Sequence, residues 1–339
     1  MRQVRGSRAL LARQTAAKAV ACALVFGSGS PLQAKTIIFD PPGAGATYPF
    51  AINASKSITG QFLDSSGDTH SFVRTSDGTF TIIDAPDACG TYGQAINRGG
   101  TIVGSAGDSN CTSAHAFIRT YDGTLTIFDV PNSSSTYAVS INSRGLLVGD
   151  YKDSSNHFHG FLRGVDGTLT SFDPAGSTDT GPASINKAGE IAGSYKAGGR
   201  HGFLRATDGT ITTFDAPGAT ATYAAALNDS GETAGYFQQQ SGPFQAFVRT
   251  ADGTFDTISI SGATTVVASS INNNGVVTGF YDDKNAEHGF VRNADGTILT
   301  FDVASCLGTT PFAINEKGLI TGRCEDQNGI NTHGFLRKP

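Results

Sequence analysis

One pattern, reworded, recurs seven times between residues 36 and 337, and it leaves few architectures open. A repeat of this length is one supersecondary unit that cannot bury its apolar face alone, so the units must stack. An Ile-Asn or Leu-Asn pair places Asn53, Asn97, Asn142, Asn186, Asn228, Asn272 and Asn315, and a glycine follows each by seven residues. A Phe-x-Arg triplet closes at Arg74, Arg119, Arg163, Arg205, Arg249, Arg292 and Arg337. A further aromatic or aliphatic residue precedes Asp40, Asp84, Asp129, Asp173, Asp215 and Asp302, with Ser259 in place of Asp once. From that position to the Asn is always 13 residues, and from the Phe of the triplet forward to that position always 12. Only the distance from Gly to Phe varies, between 10 and 13 residues. One loop per unit therefore absorbs every insertion and deletion, which frees it for variable recognition.

The unit 136–173 parses into four strands: A at 136–142, B at 146–151, C at 159–163 and D at 168–173. β-Branched and aromatic residues lie between turn signals, and no helical period is present. Asp-Gly, which supplies the positive φ of a tight hairpin turn, joins C to D in six units. Four short strands in 42–45 residues predict an all-β, seven-bladed β-propeller with four antiparallel strands per blade. The region opens on a lone strand D, Thr36–Asp40, and ends on a strand C, His333–Arg337. The N-terminal strand is thus expected to close the last blade and remove an open edge.

Residues 1–34 differ in kind. Arg2, Arg5, Arg8, Arg13 and Lys18 precede or border an apolar run, Ala19–Phe26, and no acidic residue is present. This predicts a signal peptide cleaved after Ala34, with 35–339 as a single domain. The run is too short to span a membrane. Cys22, after Ala19-Val20-Ala21, makes a weak lipoprotein-like stretch. Without these residues the chain holds 19 basic and 29 acidic side chains, a net charge of −10. Nucleic acid and anionic membrane surfaces are therefore poor partners for the molecule as a whole. A secreted or periplasmic monomer is expected.

Four cysteines remain, Cys89, Cys111, Cys306 and Cys324, in two units. Cys89 and Cys306 lie between strands D and A, Cys111 in a B–C loop, and Cys324 at the end of a strand B. Three pairings are possible. Because the D–A and B–C connections open on one face, Cys89–Cys111 and Cys306–Cys324 are the expected disulfides, as suits an oxidising compartment.

At His115-Ala116-Phe117-Ile118-Arg119, with the Asp-Gly-Thr and Ile-Asn anchors, the chain resembles bacterial extracellular repeat proteins of the HAF family, named for that tripeptide. Other units read His-Ser-Phe, His-Gly-Phe or Gln-Ala-Phe. The likeness spans 36–337 and implies secretion and a repeat fold, without an activity.

Six histidines, His70, His115, His159, His201, His288 and His333, sit at one strand-C position. One per unit around a ring cannot converge on a metal ion, so each is expected to bond within its own unit. His157 lies in a B–C loop and is the one candidate outside this rule, but it lacks a third ligand. Tyr48, Tyr92, Tyr137 and Tyr223 share a strand-A position near the face of the D–A and B–C connections, where they would serve as ligand-binding aromatics or pack between units. No catalytic motif, cofactor loop or metal site is present. A propeller enzyme would need acidic groups that break the repeat, and Glu190, Glu232, Glu287, Glu316 and Glu325 are the candidates. The leading expectation is a non-catalytic binding or scaffold protein that holds a glycan or an extracellular protein on that face. The rivals are an extracellular lyase or hydrolase with a site at the ring mouth, and a structural envelope repeat.

Overall fold

The computed structural model describes residues 35–339, which form 28 β-strands and, among the described residues, no helix. The expected signal peptide, its cleavage point after Ala34, and Cys22 lie outside the described residues. Units 1 to 7 contain, in order, the repeat asparagines Asn53, Asn97, Asn142, Asn186, Asn228, Asn272 and Asn315. In unit 3 strand A is Ser135–Ile141, B Leu147–Lys152, C Phe158–Arg163 and D Leu169–Phe172, each antiparallel to the next.

The recurrent glycine and phenylalanine of the repeat make one packing device. Gly149 of strand B faces Phe161 of strand C, and a methyl group there would strike both the Tyr137 carbonyl and the Phe161 ring. The strand-C phenylalanines, from Phe72 to Phe335, are all 0% exposed. Opposite the glycine, strand A carries a bulge, between Ala138 and Ser140 in unit 3 and at the matching place in every other unit. The residue left outside the ladder is the one after each of Pro49, Pro182 and Pro311, and each proline sits beside the bulge, opposite the strand-B glycine, a place where the ladder is already interrupted.

Neighbouring units are joined by polar contacts as well. The Arg163 guanidinium covers the Phe128 ring of the preceding unit at 5.0 Å, and Arg205, Arg249 and Arg337 do the same on Phe172, Phe214 and Phe301. Each belt asparagine donates its side-chain amide to the backbone carbonyl of the next: Asn53 to Asn97, and so on to Asn272 on Asn315. Asn315 then donates to the Asn53 carbonyl at 2.9 Å, so the belt closes on itself.

The fold is all-β and propeller-like, but the expectation of a seven-bladed β-propeller made of separate four-stranded antiparallel blades, the last closed by the N-terminal strand, needs correction. The strands form five sheets, three of four strands and two of eight, and no sheet closes on itself. The N-terminal strand, Thr36–Phe39, pairs antiparallel with Thr332–Arg337, but inside one of the eight-stranded sheets. Two parallel bridges cause the fusion, Ala46 to Thr332 and Arg200 to Ala221. At both places the start of a strand A meets the start of the preceding unit's strand C. Thr69 and Gly90 make an isolated bridge of the same kind. This contact uses backbone only, so no side-chain pattern announces it.

Candidate functional site

The D–A and B–C connections share one face, and the two disulfides mark it. Cys89 pairs with Cys111 and Cys306 with Cys324, each with Cα atoms 5.7 Å apart, as the sequence leads one to expect. Below this face lie the histidines. Each Nδ1 meets the aspartate that ends strand D of its own unit: His70 to Asp84, His115 to Asp129 and His159 to Asp173, all at 2.8 Å. His201 meets Asp215, His288 meets Asp302, and His333 meets Asp40 from the N-terminal strand. Unit 5 has Gln245 and Ser259 at these two places, so histidine and aspartate are lost together. For His70 and His159 burial opposes the charged form, but two carboxylates each outweigh it and raise the pKa: Asp84 and Asp64, Asp173 and Asp153. Among the described residues no group of three or more His, Cys, Asp or Glu could hold a metal ion.

His157 is exposed and contributes its backbone amide to Asp153 Oδ1 at 2.9 Å. The four strand-A tyrosines are half-buried, each in its own unit. Tyr48 stacks near Phe50, which meets Phe312 of unit 7 at 5.5 Å. Tyr137 lies 6.2 Å from Phe158, and burial raises its phenol pKa against a lowering bond with Ser135. Tyr223 is stacked on Tyr236 at 4.7 Å, with Arg200 over its ring at 5.3 Å. The tyrosines are thus spread around the ring, neither a joint platform nor full members of the core.

Two shallow depressions open at equivalent junctions on this face. One, of about 220 Å³, lies between units 1 and 2 against Thr69, His70, Asp84 and Gly90. The other, of about 230 Å³, lies between units 5 and 6 against Phe244, Gln245, Ser259 and Val266. The first keeps the His–Asp pair, and the second replaces it with neutral, more apolar groups.

Paired residues at the face end of strands B and C, the last pair in units 3, 6 and 7 and the one before the last in unit 4, form a row just below the face, and here the repeats diverge chemically. Lys152 faces Phe158 in unit 3, Lys196 faces Arg200 in unit 4, Asp282 faces Glu287 in unit 6, and Glu325 faces Thr332 in unit 7. One arc of the row is basic and the opposite arc acidic. At the junction of units 6 and 7 the Thr310 hydroxyl donates to Glu287 Oε1, and Glu287 Oε2 is buried with no partner. Arg323 stands nearby in an ion pair with Glu325. Burial pushes the Glu287 carboxyl up to about 8; Arg323 opposes that rise, and Asp282 and Glu325 add to it. Asp150, in unit 3, is pushed up to about 7 by burial.

Of the acidic candidates, Glu287 and Glu325 therefore meet. Glu190 and Glu232 instead accept from their own belt asparagines, Asn186 and Asn228, at 2.6 Å. Glu316 accepts the Asn273 backbone amide at 3.0 Å on the opposite face. Asp282 begins one of the B–C loops expected to carry recognition, whereas Asp150 and Arg323 were not foreseen as site residues. A signal existed: the position after the strand-B glycine reads Gln61, Ser105, Asp150, Ser194, Tyr236, Phe280 and Arg323, a column without a consensus.

Known proteins share this shape without sharing much sequence. Virginiamycin B lyase from Staphylococcus aureus aligns at a TM-score of 0.58 with 13% identity, covering 91% of this chain and 99% of that one. A catalytically inactive form of the same lyase, with quinupristin, aligns at 0.60 with 12% identity, over 91% and 100%. The beta-propeller domain of the Trilobed protease from Pyrococcus furiosus aligns at 0.64 with 10% identity, over 87% and 95%. These likenesses establish a β-propeller type of fold. No protein-family model matches the chain, and no curated protein matches its sequence. The HAF likeness thus rests on the repeat's own tripeptide and anchors. Among the described residues no helix is long and apolar enough to cross a membrane.

Proposed function

We propose that this chain is an exported, monomeric binding protein of HAF-like repeat character, which holds a glycan or an extracellular protein on the face of the D–A and B–C connections. The observation that carries this reading is that chain length varies only in the B–C loops, whereas every other spacing is fixed. Invariant positions serve the scaffold, and loops free of packing duty are where recognition is tuned. The charge-divided row and the junction depressions on the same face support the reading. The five-sheet scaffold gives the loops a rigid base, which limits the ordering cost of binding.

The test is a glycan-array and extracellular-protein screen on residues 35–339 with oxidised cysteines. Saturable binding that is lost on exchange of loops 153–158, 196–200 and 282–287 supports the reading. Binding that survives these exchanges, or none in either screen, contradicts it and shifts weight to a structural envelope protein.

A second reading, an extracellular lyase or hydrolase, is favoured by one feature. Glu287 is a buried carboxyl that keeps its proton near neutral pH, as a general acid must, with Arg323 and Glu325 beside it. Turnover in a panel of extracellular sugars and cyclic esters, abolished by Glu287→Gln, would move the assignment to catalysis.

A further inference from the structure

The opposite face, built from the turns between strands A and B, carries a second belt just outside the asparagine belt, and only part of it is filled. The residue after each belt asparagine is Ala54, Arg98, Ser143, Lys187, Asp229, Asn273 and Glu316 in units 1 to 7. From unit 4 onward the backbone amide of this residue donates to the side chain of its counterpart in the next unit. Lys187 donates to Asp229 Oδ1 at 2.8 Å, Asp229 to Asn273 Oδ1 at 2.8 Å, and Asn273 to Glu316 Oε2 at 3.0 Å. A carboxylate or amide oxygen thus fills each of these three places.

The pattern then stops. The counterpart that would serve Glu316 is Ala54, that for Ala54 is Arg98, that for Arg98 is Ser143, and that for Ser143 is Lys187. None of these side chains has a carboxylate or amide oxygen. The amides of Glu316, Ala54, Arg98 and Ser143 have no acceptor among the described residues. The same arc is basic. Lys56, Arg98, Arg144 and Lys187 are exposed, one per unit, and the turns at 53–57, 97–101 and 142–146 contain no acidic residue. Asp229, Glu232 and Glu316 gather on the other arc. The amides of Ala54, Arg98 and Ser143, at the surface and without an acceptor among the described residues, lie among these four cations, and that of Glu316 lies where the two arcs meet, so that the four form a half-ring in an otherwise acidic molecule.

We infer that this half-ring binds oxyanions, and that its ligand is an acidic oligosaccharide carrying carboxylates on successive sugars. A ligand carboxylate takes the place that Asp229, Asn273 and Glu316 occupy in the filled half, accepting from a backbone amide while Arg98 or Lys187 balances its charge. An oligomer engages several units at once, which favours it over a single carboxylate. The site is on the face away from the B–C loops, so it stands or falls separately from the reading above.

The test is titration calorimetry of residues 35–339 with trigalacturonate, with neutral galactotriose as control. The chain itself supplies the variants: Ala54→Asn and Ser143→Asn each install an amide oxygen like that of Asn273, filling the place from within without a change of charge. Trigalacturonate should bind and galactotriose should not. Each variant should weaken binding about tenfold or more, the size of one lost hydrogen bond to a charged group, with no fall in Tm. Asp229→Ala, which empties a filled place, should tighten binding. No trigalacturonate binding at millimolar concentration, or unchanged affinity in both asparagine variants, overturns the inference. A hexaglutamate peptide that binds as tightly as the sugar overturns the choice of ligand class.

Discussion

At the scale of single residues, the repeat separates side chains that hold the scaffold from side chains that depart from it. Gly149 belongs to the first group, since any β-carbon there meets the Tyr137 carbonyl and the Phe161 ring. Gly149→Ala should lower stability by about 3 kcal/mol in urea unfolding, at the upper end for overpacking. Glu287 belongs to the second. Its folded pKa is raised, to about 8, so the folded state holds a proton that the unfolded state has already released above the ordinary carboxylate range. Stability contributed by this group is therefore present at low pH and is lost as pH rises from about 4.5 through about 8. Glu287→Gln should leave stability near pH 4 almost unchanged and raise it by several kcal/mol at pH 9, with about 5 kcal/mol as the upper bound set by the rise from about 4.5 to about 8, because there the native carboxylate must sit buried. Thermal melts across that pH range check the sign. The glycine was legible in the sequence because it never changes. Asp150 and Arg323 were legible only in part: their column has no consensus, which marks a divergent position, but only packing shows which of its members are buried.

At the scale of strands, the link between C and D was written in the sequence as a paired exchange. Wherever strand C offers histidine, strand D ends in aspartate, and in unit 5 both change, to Gln245 and Ser259. Reading each column alone hides this, whereas reading the two together gives a contact 14 residues apart. In unit 3, Asp173→Ser alone should cost about 1 kcal/mol, and adding His159→Gln should cost less than the sum of the single changes. Exposure and solvent screening hold the coupling to a fraction of that figure. Strand boundaries were legible to within about a residue or two, the usual scatter. The sheet count was not. Ala46–Thr332 and Arg200–Ala221 are backbone bridges, set by how closely a D–A connection approaches the preceding strand C, and alternation of apolar residues is blind to that distance.

At the scale of the whole molecule, the asparagine belt links every unit to the next and returns to its start. Asn142 shows the double duty: its amide donates to the Asn186 carbonyl while its Oδ1 accepts from Arg144 and Leu146 in its own turn. Asn142→Ala should cost about 2–3 kcal/mol, since it strands buried backbone groups in two units at once. The seven identical asparagines were plain in the sequence, but a side-chain bond between units cannot be read from a column that looks the same in all of them. The disulfides are local by comparison, with separations of 22 and 18 residues. Reduction should lower stability by about 3 kcal/mol per bridge and leave the belt intact, as calorimetry with and without reductant would register. The broader division, a uniform belt and core beneath a varied face, is tested most directly by hydrogen–deuterium exchange on residues 35–339, with and without the ligand from the binding screen. Protection concentrated in 64–69, 108–114, 153–158, 196–200, 238–244, 282–287 and 325–332 is the expected outcome. Protection confined to the C–D turns or the strand-D edges, with those loops unchanged, would contradict it.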